Sequence, residues 1–228
     1  MSQDKKIAVV IGATGNLGRA IVLELEKCGF WVDPLWLGEG RPDVTLHDAF
    51  KSLPPKIDAA IYLAGINAIF PAEDLEEVVW DKVFDINLKG AFRFAKAAYP
   101  SLTKVECSSF ITISSIMVTH PYPGRLAYAA SKAGLESMTR CLAVEWGKKG
   151  VSSHTLRLGH ISGLMKSTVA NPKILESVKS LTPSGNLIEP ESVASYIGWL
   201  VNGGIKSVNG MVSDFEPGYT INRWPLNS

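Results

Sequence analysis

A tyrosine and a lysine, Tyr128 and Lys132, lie four residues apart near the start of a predicted helix. Residues at this spacing share one helix face, so the phenol and the ammonium can come within reach of each other. A neighbouring positive charge favours the phenolate and is expected to lower the phenol pKa from about 10 towards neutrality. Such a phenol can act as a general acid or base at physiological pH, although a solvent-exposed helix face is the alternative explanation of the pair.

A glycine-rich turn is the second candidate site. The stretch Gly-Ala-Thr-Gly-Asn-Leu-Gly occupies residues 12–18, between a predicted strand at 7–11 and a predicted helix at 17–27. Glycines let a phosphate approach the backbone closely, and the amides at a helix N-terminus attract negative charge. Tight turns use glycine for conformational reasons alone, but a glycine triplet between a strand and a helix favours dinucleotide binding.

These candidates lie on a chain in which short apolar segments alternate with helical patterns, as is typical of a parallel sheet with helices on both faces. We predict a doubly wound, mostly parallel α/β fold of the Rossmann type, with residues 1–228 in a single domain. The predicted strands are residues 7–11, 30–37, 57–63, 109–113, 153–158 and 211–215. The predicted helices are residues 17–27, 80–98, 127–146 and 190–201.

Small and polar residues follow three of the predicted strands, namely Ala64 and Gly65, Ser114 and Ser115, and Gly159. The carboxyl ends of parallel strands share one edge of the sheet, where ligands bind. Ordinary turns explain each position separately. Their recurrence at the same edge predicts that they form one site together with the glycine-rich turn.

Taken together, these motifs resemble those of the short-chain dehydrogenase/reductase family over almost the whole chain. Residues 128–132, Tyr-Ala-Ala-Ser-Lys, resemble its Tyr-x-x-x-Lys signature, and Ser115, 13 residues before Tyr128, resembles its catalytic serine. Asn87, in Asn-Leu-Lys-Gly-Ala-Phe, is similar to the helix asparagine of the family. Residues 209–218 resemble its final strand and turn.

The resemblance implies an oxidoreductase that transfers a hydride between a nicotinamide cofactor, NAD or NADP, and a small-molecule carbonyl or alcohol. It makes Tyr128 the general acid/base and Ser115 a hydrogen-bond donor to the substrate oxygen. It also implies that Lys132 tunes Tyr128 and binds the nicotinamide ribose, and that Asn87 holds a proton-relay water. The implied cofactor-binding residues are Gly12, Thr14, Gly15, Asn16, Leu17, Gly18, Asp43, Val44, Ala64, Gly65, Tyr128, Lys132, Gly159 and Ile161.

Several positions depart from the family pattern. Asn16 stands where the common pattern has glycine, Tyr62 and Leu63 stand where it has two asparagines, and Leu158 stands where it has proline. Residues 36–43 also leave no room for the helix usually found between the second and third strands. These departures support an alternative, a non-catalytic dinucleotide-binding regulatory protein. A sugar-nucleotide epimerase or dehydratase is disfavoured, because only 96 of the 228 residues follow Lys132 and much of that length must complete the sheet.

The choice of cofactor depends on the residues after the second strand, where a carboxylate favours ribose hydroxyls and an arginine favours a 2′-phosphate. Glu39 and Arg41 lie there two residues apart, so both NAD and NADP stay open. Asp43 and Val44 resemble the adenine-contacting segment of the family. The substrate-facing candidates, for which plain loop packing is the alternative, are Met117, His120, Tyr122, Leu164 and Met165.

Residues 161–187 contain Pro172, Pro183 and Gly185 and follow directly from a predicted strand at the cofactor edge. We predict that they form a mobile, substrate-covering lid and no core element. Closure of a lid would exclude water and fix the substrate near Ser115 and Tyr128. A rigid helical hairpin around residues 174–178 is the alternative.

Charge and composition limit the partners of the chain. Its 23 Lys and Arg residues nearly balance 22 Asp and Glu residues without a basic run, and no apolar stretch could span a bilayer, so neither nucleic acid nor a membrane is expected. Its cysteines, Cys28, Cys107 and Cys141, and its histidines lack metal-ligand spacing, so we expect no metal and buried, reduced thiols. We expect a cytoplasmic protein, and the resemblance implies a homo-oligomer, a dimer or tetramer, assembled through the helices at 80–98 and 127–146.

Overall fold

The structure is a computed structural model that describes residues 5–33, 43–163, 172–204 and 207–222. Its described residues form one sheet of six parallel strands in the order β2-β1-β3-β4-β5-β6. The strands are β1 (Lys6–Ile11), β2 (Phe30–Val32), β3 (Ala59–Tyr62), β4 (Ser108–Ser115), β5 (Val151–Leu158) and β6 (Val212–Phe215). This topology confirms the predicted parallel, Rossmann-type fold.

Helices cover both faces of the sheet. They are α1 (Asn16–Lys27), α2 (Glu77–Phe84), α3 (Gly90–Leu102), α4 (Leu126–Trp146), α5 (Pro172–Leu181) and α6 (Pro190–Trp199). The prediction of one helix over residues 80–98 is wrong, because five residues of π-helix, Asp85–Lys89, separate α2 from α3. Apolar periodicity does not detect such a turn, because five residues are too few to distinguish a π-helical from an α-helical repeat. Among the described helices, none is both long and apolar enough to cross a bilayer.

The buried side chains of β1 alternate between two hydrophobic cores. Ala8 and Val10 belong to the core formed with α1 and α6, whereas Val9 and Ile11 belong to the core formed with α3 and α4. Successive strand residues point to opposite faces, so a strand that is covered on both faces is apolar throughout. This arrangement explains why the sequence shows short, continuous apolar runs.

Tyr62, at the end of β3, contacts the π-helical turn. Its ring is fully buried, and its hydroxyl donates a 2.6 Å hydrogen bond to the carbonyl oxygen of Ile86. A Cβ atom on Gly90 would collide with that hydroxyl, so the start of α3 requires glycine. The tyrosine that departs from the family pattern is therefore a packed core residue.

Residues 161–187 contain more regular structure than expected. The prediction that this segment lacks a core element is wrong in one part, because α5 lies within it and buries Val178. Pro172 is the first residue of α5, a position that proline tolerates because the N–H there has no partner within a helix. Ile161 pairs with Ile188 in an isolated bridge, so the two ends of the segment lie together.

The three cysteines are free thiols, but the expectation that they are buried is wrong. Cys107 and Cys141 are exposed, and Cys28 is half-buried. Cys28 still packs against the core formed with α1 and α6. In the described part of the chain, no group of histidine, cysteine and acidic residues could hold a metal ion.

Candidate active site

A cleft of about 790 Å³ opens at the carboxyl ends of the strands, beside the turn between β1 and α1. The turn lies where β1 neighbours β3 although β2 comes between them in the chain, which is the kind of switch point where parallel sheets bind ligands. The predicted cofactor-binding residues that line the cleft are Gly12, Thr14, Gly15, Leu17, Gly18, Asp43, Val44, Ala64, Gly65, Tyr128, Lys132, Gly159 and Ile161. Asn16 is not among the lining residues, and its side-chain amide donates to the carbonyl oxygen of Gly163 at 3.3 Å.

The three glycines of the turn have different surroundings. Gly12 has a φ of +93°, and a Cβ atom there would lie 2.7 Å from the backbone nitrogen of Ala64. A Cβ atom on Gly18 would lie 2.5 Å from the carbonyl oxygen of Gly12, so both glycines permit close backbone packing. A Cβ atom on Gly15 would meet no atom within 4 Å. Gly15 caps the N-terminus of α1, so open space and helix amides together suit the pyrophosphate of a dinucleotide.

Strand β4 and helix α4 bring three of the predicted catalytic side chains to one wall of the cleft. Ser115 is the last residue of β4, and it lines the cleft together with Tyr128 in the first turn of α4. Lys132 follows one helical turn later, and its Nζ lies 5.8 Å from the centre of the Tyr128 ring. This ammonium donates a 2.7 Å hydrogen bond to the carbonyl oxygen of Ile113.

Burial has the largest effect on the pKa values of Tyr128 and Lys132. It raises the pKa of Tyr128, while the hydrogen bond with Ser115 and the positive charge of Arg125 act to lower that pKa. Burial also lowers the pKa of Lys132 to about 8. The expectation that Lys132 brings the pKa of Tyr128 towards neutrality is therefore wrong for this structure, because desolvation of the phenol outweighs the neighbouring charges.

Asn87 lies fully buried at the centre of the π-helical turn. Its Oδ1 accepts a 2.8 Å hydrogen bond from the amide of Ile66, and its Nδ2 donates to the Ile66 carbonyl at 2.9 Å and to the Ser131 hydroxyl at 3.0 Å. A Cβ atom on Gly65 would lie 3.2 Å from Oδ1 of Asn87 and 3.4 Å from Nζ of Lys132. Asn87 therefore holds the loop after β3 close to Lys132, and the proton-relay water implied by the resemblance stays a prediction.

The predicted substrate-facing residues do not all reach the cleft. Met117 and Tyr122 line it. The prediction for His120 is wrong, because this side chain is exposed and lies 3.0 Å from the hydroxyl of Thr119. The two candidates in the long segment, Leu164 and Met165, lie outside the described residues.

Sequence reasoning missed a cluster of polar rings at this end of the cleft. The hydroxyl of Tyr122 donates to the hydroxyl of Tyr219 at 2.6 Å and lies 2.9 Å from Nε2 of His160. Burial lowers the pKa of His160, which favours its neutral form. His160 directly follows Gly159 at the cofactor edge, and that position could have revealed it. Tyr219 comes from the far end of the chain, and nothing in its local sequence connects it to the cleft.

A buried ion pair behind the wall joins α4 to β5. Nη2 of Arg157 lies 2.7 Å from Oε2 of Glu136, and Nε donates to Oε1 at 3.0 Å. Ser114 donates to the same carboxylate at 2.7 Å, and Asp214 on β6 accepts a 2.7 Å bond from Nη1 of Arg157. Glu136 lies one helical turn beyond Lys132, so this network fixes the helix that carries the catalytic side chains. Local sequence patterns do not reveal this network, because its members are far apart in the chain.

Asp43 lines the cleft on the side of the glycine-rich turn. Its Oδ1 accepts hydrogen bonds from the amide of Thr45 at 2.9 Å and from its hydroxyl at 2.8 Å, and these bonds lower the pKa of Asp43. The turn is thus held in the conformation that presents Val44 to the cleft. Glu39 and Arg41, on which the choice between NAD and NADP is predicted to depend, lie outside the described residues.

Known proteins with similar sequences and structures are oxidoreductases. Residues 44–220 match a family model described as enoyl-(acyl carrier protein) reductase. An NAD-dependent glycerol dehydrogenase of Listeria innocua is 28% identical over 239 residues, which cover 95% of this chain and 94% of the relative. The human (3R)-3-hydroxyacyl-CoA dehydrogenase is 34% identical over 231 residues, which cover 86% of this chain and 88% of the relative. A solved structure from Sinorhizobium meliloti, assigned to the short-chain alcohol dehydrogenases, superposes with a TM-score of 0.87, covering 95% of this chain and 97% of the other at 22% identity, which shows the fold alone.

The chain belongs to the short-chain dehydrogenase/reductase family. It is an NAD(P)-dependent oxidoreductase of that family, which confirms the enzyme class and the cofactor expectation drawn from the sequence motifs. The cleft fits such a cofactor, because Gly15 leaves open space at the N-terminus of α1.

Proposed function

We propose that this protein interconverts an alcohol and a carbonyl compound by hydride transfer, with Tyr128 as the general acid/base. The observation that carries the proposal is that Ser115, Tyr128 and Lys132 line the wall of a cleft that the glycine-rich turn also lines. A hydroxyl and a phenol beside a dinucleotide site can together bind a substrate oxygen and exchange a proton with it.

The nicotinamide ring of NAD or NADP, when bound, accepts a hydride from the alcohol carbon or supplies one to the carbonyl carbon. In the oxidative direction, the phenolate of Tyr128 takes the proton of the substrate hydroxyl as the carbon–hydrogen bond breaks. In the reductive direction, the phenol gives that proton to the substrate oxygen. Ser115 donates a hydrogen bond to the same oxygen and stabilises the negative charge that develops there.

The oxidative step needs a lower phenol pKa than burial alone would give. The hydrogen bond with Ser115 and the positive charge of Arg125 both act in that direction. We assign Lys132 to the ribose of the nicotinamide nucleotide. We assign Asn87 to the proton-relay water and to the position of the loop that carries Gly65.

Replacement of Tyr128 with phenylalanine tests this mechanism. Tyr128→Phe removes the acid/base group and keeps the ring, so turnover should fall by about 10²- to 10⁴-fold while unfolding and dinucleotide binding stay unchanged. Tyr99→Phe is the control, because Tyr99 packs against Trp146 away from the cleft and should keep full activity. Full activity of Tyr128→Phe would reject the mechanism. Tight dinucleotide binding without turnover of any alcohol or carbonyl would instead favour the regulatory alternative.

The first compounds to assay follow from the named relatives, which are dehydrogenases of glycerol and of 3-hydroxyacyl-CoA. Titration with NADH and NADPH should precede the substrate assays, because it tests the glycine-rich turn without knowledge of the substrate. A clear preference for NADPH would remove Glu39 from the predicted ribose-binding role and favour Arg41.

We propose that α5 covers the bound substrate. Ile161 lines the cleft, and Ser162 donates a 2.8 Å hydrogen bond to the carbonyl of Ile188, so the segment containing α5 starts and ends beside the site. Hydrogen exchange of the α5 amides with and without cofactor tests the proposal, which expects stronger protection when cofactor is bound. Equal, strong protection in both states would support the rigid helical hairpin.

We also propose a homo-oligomer, either a dimer or a tetramer. Val78 on α2, Phe92 on α3, and Leu126 and Val144 on α4 are apolar and at least half exposed, at 67%, 53%, 50% and 84%. Burial of such side chains in an interface is favourable. Light scattering that shows a monomer at micromolar concentration would contradict this proposal.

The free thiols agree with a cytoplasmic location, which cell fractionation can test.

A further inference from the structure

Arg125 places an unpartnered cation on the cleft wall. It lies directly before α4, three residues ahead of Tyr128, and lines the cleft with Tyr122 and His160. Its side chain is partly buried, and within the part of the chain that the structure describes its guanidinium forms no hydrogen bond or ion pair. A partly desolvated guanidinium without a counter-charge costs free energy that a bound anion can offset.

The acidic groups at or beside the cleft are already bonded to other residues. Glu216, whose charge acts on His160, accepts hydrogen bonds from the amide of Thr220 at 3.3 Å and from its hydroxyl at 2.9 Å. Asp43, the one acidic residue among the described lining residues, is bonded to Thr45. No carboxylate of the described residues therefore neutralises Arg125.

Arg125 also lies close to the reacting groups. Its charge acts to lower the pKa of Tyr128, and it interacts electrostatically with Tyr122. Arg125 and Tyr128 line the same cleft, so a small molecule can reach the guanidinium and the phenol together. The hydroxyl of Tyr122 donates a hydrogen bond to the hydroxyl of Tyr219 and is bonded to Nε2 of His160, and the two bonds hold the adjoining part of the wall in place.

We propose that Arg125 binds an anionic group of the substrate, so that the enzyme acts on hydroxy and oxo compounds that carry a carboxylate or a phosphate near the reacting carbon. The proposal rests on the oxidoreductase function proposed above and adds the substrate class to it. A guanidinium binds either oxyanion through two parallel hydrogen bonds, which also orients the substrate. The anion at Arg125 then directs the reacting oxygen towards Ser115 and Tyr128.

Matched pairs of compounds test this substrate class. We would assay 3-hydroxybutanoate against 1,3-butanediol, and glycerol 3-phosphate against glycerol, each with NAD⁺ and NADP⁺. The wild-type kcat/KM should be at least about tenfold higher for the anionic member of one pair, and the pair that shows it separates carboxylate from phosphate. Arg125→Gln should abolish this preference by raising the KM of the anionic member, while any change in kcat that follows from a higher Tyr128 pKa should be common to both members of a pair. Arg125→Lys should restore part of the preference. Arg140→Gln removes a charge from the exposed face of the same helix and should change nothing.

Turnover of the neutral compounds at rates equal to the anions, or a preference that survives in Arg125→Gln, would overturn the inference and leave the oxidoreductase proposal intact. Absence of turnover with every compound would count against the proposed reaction and not against Arg125. Calorimetric titration of 3-hydroxybutanoate and of glycerol 3-phosphate into the protein saturated with NADH or NADPH measures Arg125 without catalysis. At least tenfold weaker binding by Arg125→Gln supports the inference, and equal affinity in both proteins or no binding to either rejects it.

Discussion

The side-chain amide of Asn87 holds the backbone of Ile66 by two hydrogen bonds, one accepted at 2.8 Å and one donated at 2.9 Å. The pair joins the π-helical turn to the loop that carries Gly65 on the cleft wall. Asn87→Ala removes both bonds and leaves backbone groups of Ile66 without these partners, so the free energy of unfolding should fall by about 2–3 kcal/mol. Dinucleotide binding should also weaken, because Gly65 is no longer held in place. Urea denaturation and cofactor titration measure the two effects.

Asn67 provides the control for this substitution, because it lies in the same loop with its side chain exposed. Asn67→Ala should change the free energy of unfolding by no more than about 0.5 kcal/mol. Equal destabilisation by the two substitutions would show that the bonds of Asn87 do not hold the loop.

Alanine substitutions at Gly15 and Gly18 should separate cofactor binding from folding. Gly15→Ala adds a methyl group in open space at an extended φ of −75°, so stability should stay within about 0.5 kcal/mol while dinucleotide affinity falls at least about tenfold. Gly18→Ala places its methyl group against the backbone of Gly12 and should cost about 1–3 kcal/mol of stability. Thermal unfolding and NADH titration of both variants test this. Unchanged affinity in Gly15→Ala would place the pyrophosphate elsewhere.

Replacement of one partner of the ion pair between Glu136 and Arg157 should lower the free energy of unfolding. Glu136 is 3% exposed and Arg157 is 12% exposed, so Glu136→Gln leaves a nearly buried guanidinium without its main counter-charge, at a cost of about 3 kcal/mol. Asp214→Asn is the control, because Asp214 is 54% exposed and its bond to Arg157 should contribute less than about 1 kcal/mol. Denaturant unfolding compares the variants. The double variant Glu136→Leu, Arg157→Met removes both charges and should recover much of the lost stability. A double variant as unstable as Glu136→Gln would show that the unpaired charge is not the cause of the loss.

Burial of Lys132 predicts a rise in stability between about pH 8 and pH 10. The pKa of Lys132 is lowered from 10.5 to about 8, so in this range the unfolded chain keeps a proton that the folded chain has released. The gain should reach about 2–3 kcal/mol across the range, since one pKa unit corresponds to about 1.4 kcal/mol. Above about pH 10 the trend should reverse, because burial raises the pKa of Tyr62 and Tyr128 and only the unfolded chain ionises these phenols.

Urea denaturation of the wild type and of Lys132→Met across this pH range tests the effect. The difference between the two proteins isolates Lys132, because the other titrating groups are common to both. Parallel stability curves from pH 8 to pH 10 would show that Lys132 keeps its ordinary pKa in the folded protein.

Local sequence patterns predicted those parts of the fold that depend on local interactions. The continuous apolar run of β1 reflects a strand covered on both faces. The turn at residues 12–18 contains glycine because side chains at Gly12 and Gly18 would collide with neighbouring backbone. The four-residue spacing of Tyr128 and Lys132 correctly placed both side chains on one wall of the cleft.

The remaining features depend on contacts between distant parts of the chain. The π-helical turn at Asn87 spans only five residues, too few for apolar periodicity to distinguish it from an ordinary helix. The contact of Tyr219 with Tyr122 joins residues 97 positions apart. The direction of the pKa shift of Tyr128 was predicted wrongly because spacing identifies a neighbouring charge but not the degree of burial.

The close contact between Tyr62 and Gly90 constrains the order in which this chain can change during evolution. Because the Tyr62 hydroxyl occupies the space of a residue-90 side chain, Gly90→Ala is disfavoured until residue 62 has lost its hydroxyl or its ring. A library that varies residue 90 alone should return glycine, whereas one that varies both positions should return alanine paired with a smaller residue 62. Residues 62 and 90 should therefore change together. A chimaera built from two parents should take β3 and α3 from the same parent.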